Sequence, residues 1–117
     1  MKNWEALKKR YLQDELPIRL GNLASNLARI KSRCQNSANG ELVESLLQES
    51  KVFIEWTAKD TEMEIAAELV ELQVQLACWQ YCWETIWQDV EERIKVGEQS
   101  KIWSDKVLNM SGLLAVN

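Results

Sequence analysis

A chain of 117 residues has room for one domain, 1–117, and its 46% apolar and 27% charged residues are the balance of a folded chain and not of a disordered one. One Pro and four Gly leave few breakers, so an all-α fold is expected; the lack of any His removes Ser-His-Asp and Cys-His nucleophiles, His phosphotransfer and His-containing metal sites together. The net charge of −4 is uneven, with eight Lys/Arg against three Asp/Glu over 1–40 and four against fourteen over 41–98, so the two regions either attract each other within the fold or offer faces of opposite sign to partners.

Residues 1–10 hold no apolar run of the length a secretory signal needs. The most apolar stretch, 65–87, carries Glu68, Glu71 and Glu84, which argues against membrane insertion. Three cysteines, Cys34, Cys78 and Cys82, are an odd number for a disulfide framework. The expectation is a cytoplasmic chain with reduced thiols.

A first helix is expected over 3–13, with Trp4, Leu7 and Tyr11 on one face. Asp14-Glu15-Leu16-Pro17 breaks it, Pro17 fitting the first turn of the next helix; a kinked continuous helix is the alternative. The second helix, 17–36, carries Leu20, Leu23, Leu27, Ile30 and Cys34 at 3-4 spacing, a packing seam. Residues 35–40 read as a turn, with Asn, Ser and Gly supplying caps and positive φ. The third helix, 41–58, has two adjacent apolar rows: Leu42, Leu46, Phe53 and Trp56, and Val43, Leu47 and Ile54. Thr61-Glu62-Met63-Glu64 has the form of a capping box that starts a fourth helix; without that break the third and fourth helices are one rod.

The fourth helix is expected to be long, over 61–96, because Ile65, Leu69, Leu72, Leu76, Trp79, Trp83, Ile86 and Val90 keep an unbroken 4-3 spacing. Such a helix would span ~54 Å. Gly97 ends it, and a fifth helix over 99–110 or beyond places Trp103, Val107, Met110 and Leu114 at 4-3-4. The fold expected is therefore a four- to five-helix bundle around one long central helix, with the second and third helices on its first half and the first and fifth near its second.

Over 74–87, ten of fourteen positions are apolar and they encircle the helix. A helix apolar all round must be buried all round. Either the first and fifth helices, with Trp4, Tyr11 and Trp103, wrap this band, or a second copy or another protein covers it; the second reading is preferred, since two short helices give little cover and interfaces concentrate aromatics. Trp79, Tyr81, Trp83, Trp87 and Trp103 are the candidate interface. Base stacking on the Trp row would need a basic groove, whereas Glu84, Asp89, Glu91 and Glu92 surround it, so nucleic acid is not expected there. The basic cluster of Lys8, Lys9, Arg10, Arg29, Lys31 and Arg33 lacks interleaved aromatics and does not read as a nucleic-acid footprint.

Cys78 and Cys82, four apart, read as small apolar residues between Trp rings and as half a zinc site at most. Glu62, Glu64, Glu68 and Glu71 read as a solvated face, not as catalytic carboxylates. No catalytic residue, metal or cofactor is expected. The function expected is that of a non-enzymatic regulator or adaptor, a homodimer acting through protein–protein contact, with a bundle binding an apolar or flat ligand in the Trp-rich region as the alternative.

Overall fold

The computed structural model describes residues 3–113, and among these every regular element is helical. Six α-helices follow one another: α1 Trp4–Gln13, α2 Leu16–Arg33, α3 Gly40–Thr57, α4 Met63–Tyr81, α5 Trp83–Gln88 and α6 Val90–Ser111. Short 3-10 turns, Ser37–Asn39 and Ala58–Asp60, precede α3 and follow it.

The early boundaries fall where local chemistry places them. Asn3 caps α1 by accepting from the Ala6 amide, Asp14 is extended, and Pro17 sits in the first turn of α2, so α1 and α2 are separate helices. Helix α2 ends at Arg33, three residues before the expected 36, with Cys34 as its C-cap. In the turn, Asn36 accepts from the Ala38 amide and Asn39 donates to the Arg33 carbonyl. Gly40, expected to supply positive φ, has helical φ −53 and opens α3. Its lack of a side chain serves another purpose, because a Cβ there would stand 2.9 Å from the indole nitrogen of Trp87.

The third and fourth helices are separate, but not through a capping box. Thr61 is extended and turns its hydroxyl back to the Ala58 carbonyl at 2.7 Å, closing the 3-10 turn, so Glu62 becomes the residue before α4 and caps with no side chain.

The long central helix is the main correction. Region 61–96 is three helices, broken at Cys82 (φ −103, ψ 19) and at Asp89 (φ −97, ψ 113). Asp89 caps α6 by accepting from the Glu91 and Glu92 amides, and these acids favour the helix N-terminus, a start signal that apolar spacing passes over. A straight rod of ~54 Å would also exceed the molecule's longest dimension, 41 Å. Gly97, expected to end a helix, lies buried in mid-α6, and the fifth helix starts nine residues earlier than 99.

The spine of the fold is accordingly not α4 but the pair α2 and α6, which pack along each other; α3 lies on α2, and α4 lies on α3 with a smaller contact to α6. The expected seam of α2 is buried in full: Leu20, Leu23, Leu27, Ile30 and Cys34. Opposite it, α6 presents Gly97, Ser100, Ser104, Val107 and Ser111 at 3-4-3-4 spacing, a seam of mostly small residues. A Cβ at Gly97 would be 3.3 Å from the Cys34 Cβ and 3.5 Å from the Lys31 carbonyl oxygen, and Ser104 Oγ donates to the Ala24 carbonyl at 2.7 Å. Of the fifth helix's expected row, Trp103 and Val107 are buried and Met110 half-buried, while Leu114 lies outside the described residues. In α3 both rows are buried except Leu42, which is exposed, and Trp56, half-buried.

Tyr11 anchors α1. Its hydroxyl donates to the Arg19 carbonyl at 3.0 Å and lies 2.8 Å from the buried Thr57 hydroxyl, while its ring stacks on Phe53. Burial pushes its phenol up to about 12. Arg19 in turn pairs with Asp60 at 3.0 Å, one link between the basic first third and the acidic middle.

The α2–α6 seam predicts substitutions of opposite sign. Gly97→Leu forces a side chain into the crossing and costs about 1–3 kcal/mol or more. Ser100 is fully buried and its hydroxyl has no partner among the described residues, so Ser100→Ala stabilises by about 1 kcal/mol. Urea unfolding midpoints read both.

Candidate functional site

Of the five candidate interface residues, four turn inward or become braces. Trp79, Trp83 and Trp103 are 8%, 7% and 8% exposed and belong to the core. Trp87 is half-buried, with its ring centroid 5.1 Å from that of Trp83. Its Nε1 donates to the Ser37 carbonyl at 2.8 Å, and the Arg93 guanidinium lies 5.3 Å from its ring centroid. Arg93 also donates to the carbonyls of Cys34 and Trp87, holding the ends of α2 and α5 beside the start of α6. Trp87 therefore clamps the chain's sharp turn against the loop before α3. Tyr81 alone stays in solvent, 92% exposed.

Nor do the first helix's aromatics wrap the Trp band. Trp4 and Tyr11 meet Phe53 and Trp56 on α3 instead, a separate cluster. The band is left with one covered face. Val74 and Ala77 are exposed, and so are Cys78 and Cys82, which do not fill gaps between Trp rings as expected. The reason is the break at Cys82: the turn carries Trp83 and Trp87 toward α3 and α6 and leaves the opposite side of α4 without a neighbour among the described residues.

That opposite side is the feature that the apolar count over 74–87 only partly located. Met63, Ala67, Val70, Val74, Ala77 and Tyr81 are all exposed, with Met63 at 87%, Val70 at 50% and Val74 at 58%. Their spacing is again 4-3-4-3-4. Helix α4 thus carries two apolar seams on opposite sides, the inner one of Leu69, Leu72, Leu76 and Trp79 buried, the outer one bare. Scanning the sequence for a second period in the same helix would have found it; reading only the stronger, Leu- and Trp-rich row hid it.

Elsewhere the chemistry is sparse. A cleft of about 450 Å³ between α1, α2 and α3 sets Arg10 and Arg29 against Asp14 and Glu49, with Tyr11 and Phe53 along its wall. Ser25 and Asn26 also line it. Among the described residues no group of three or more Cys, Asp and Glu is placed to hold a metal, and no helix is long and apolar enough to cross a membrane. Cys34 is buried at the α2–α6 crossing and its thiol is pushed up to about 11 by burial, which suppresses the nucleophilic thiolate.

Comparison of the chain with protein-family models, with characterised proteins and with solved structures finds no match.

Two outcomes follow from this geometry. Trp87→Phe removes the hydrogen bond to Ser37, whose exposed carbonyl then turns to water, so the cost in urea titration is that of one hydrogen bond, about 0.5–1.5 kcal/mol. Alkylation at pH 8 followed by mass spectrometry adds two groups to the native chain, at Cys78 and Cys82, and a third only after unfolding exposes Cys34.

Proposed function

We propose that the chain is a non-enzymatic helical regulator or adaptor that works by association with another protein chain, a second copy of itself first. The supporting observation is the outer face of α4, where six exposed residues repeat at 4-3 spacing on a helix whose inner face is already packed. Other exposed apolar residues, such as Leu12, Ile18 and Leu42, are spread over separate helices, and the three on α6, Val90, Ile94 and Ile102, are interrupted by Glu98; isolated ones need no explanation. A 4-3 apolar row along several turns is different, because it is the pattern by which helices recognise helices. The Trp band contributes indirectly, by holding α4 in place.

The alternative, an apolar or flat ligand in the Trp-rich region, has one feature in its favour: a groove of about 250 Å³ bordered by Trp83, Trp87, Gly40 and Glu44. It is the weaker reading, since Trp87 already has Arg93 and Trp83 against its ring.

Light scattering at tens of micromolar tests the reading. The expected mass is twice 13.6 kDa, and Val74→Glu returns the monomer with helicity by circular dichroism unchanged, because the substituted side chain is already in solvent. A wild-type monomer at that concentration refutes self-association.

A further inference from the structure

We infer that two copies of this chain pair their α4 helices antiparallel, about a two-fold axis at the level of residue 72. This rests on the association reading above and adds occupant, direction and register.

The outer row is close to a palindrome in side-chain size. Read from either end, Met63, Ala67, Val70, Val74, Ala77 and Tyr81 run large, small, medium, medium, small, large. An antiparallel copy therefore brings Val70 against Val74 of the partner subunit, Ala67 against Ala77 of the partner subunit, and Met63 against Tyr81 of the partner subunit. Each layer occurs twice, as a two-fold axis requires of a self-complementary patch. The Ala layers let the backbones approach, and the outer layers close over them with a thioether against an aromatic ring, a favourable contact. Opposed helix dipoles also favour this direction over the parallel one.

The area fits a second copy. The six side chains expose on the order of 600 Å², against the roughly 800 Å² that each partner brings to a stable interface; the bordering Ala66, Glu71, Gln73 and Cys78 supply the remainder. One border is already fixed. Gln73 donates to the Lys51 carbonyl at 3.2 Å, and Gln80 donates to Gln48 at 2.9 Å and accepts from Lys51 at 2.7 Å, so these side chains lose little freedom when covered. The other border carries Glu64, Glu71 and Cys78. In the antiparallel register Glu64 lies beside Cys78 of the partner subunit, and Glu71 meets its own copy near the axis, an adverse contact that Glu71→Gln relieves.

Cross-linking with a short bismaleimide tests direction and register on the full chain. In Cys82→Ser, the single exposed thiol is Cys78; two such thiols lie ~18 Å apart along an antiparallel pair, so no covalent dimer forms. Adding Glu64→Cys places a thiol beside Cys78 of the partner subunit, and a covalent dimer appears. It is lost when Val74→Glu is added, while circular dichroism confirms that each variant is folded. At low salt Glu71→Gln lowers the dissociation constant several-fold. A covalent dimer in Cys82→Ser alone means a parallel pair and overturns the inference, as does a dimeric mass that yields no link in either variant or survives Val74→Glu. A monomeric mass in the unmodified chain overturns the association reading beneath it as well, and assigns the row to a different protein.

Discussion

Where α6 crosses α2, even a Cβ at Gly97 would stand 3.3 Å from the Cys34 Cβ and in contact, at 3.5–3.6 Å, with the Lys31 backbone, so nothing larger fits without moving the helices. The rest of the fold depends on this approach. With Ser100 and Ser104 continuing the small face, the backbones of two long helices come close over several turns, and the Leu and Ile side chains of α2 fill the flanks. Once these helices are paired, the chain between α3 and α6 must return to the C-terminal end of α2. A single straight helix cannot do this. It breaks at Cys82, crosses as the six residues of α5, and restarts at the Asp89 cap.

The break is braced by side chains from α5 and α6. Trp87 reaches the Ser37 carbonyl across the ledge left open by Gly40, and Arg93 joins the Cys34 and Trp87 carbonyls while lying against the Trp87 ring. Five hydrogen-bonding and stacking groups thus hold a turn that no proline enforces. Aromatic residues that look like contacts for a partner are occupied in closing the chain on itself. Their burial also accounts for the bare side of α4: the inner seam faces α3 and, less, α6, and none of the described residues covers the outer one.

A helix with two apolar sides and one covered side is costly to leave in water, and association is the way such a surface is normally relieved. The functional reading therefore comes from the mismatch between one helix and the fold around it, not from any chemical group. The titratable residues agree with this division. Tyr11 and Cys34, whose protons are held more tightly than usual, are both buried in packing and hydrogen bonding, away from the exposed row.

Read without its fold, the sequence determined the helical class, the α1–α2 break at Asp14 and Pro17, the seam of α2 and most of the core face of α3, because each rests on local spacing and caps within one or two turns. It also marked Ile65 to Val90 as one continuous core face; Leu69 to Trp83 survive as core, Ile65 and Ile86 are half-buried, and Val90, past the second break, is exposed. Tertiary structure decided where that helix breaks, since 4-3 spacing records which residues face the core and is indifferent to a change in chain direction that keeps them there. It decided the role of Gly97 as well: a glycine reads as a stop in sequence, but in α6 its value is the missing side chain, which matters only when α2 is alongside. The same holds for Trp87 and Tyr81, six residues apart in one aromatic band, one turned into a clamp and the other left in solvent by a turn that local spacing does not encode.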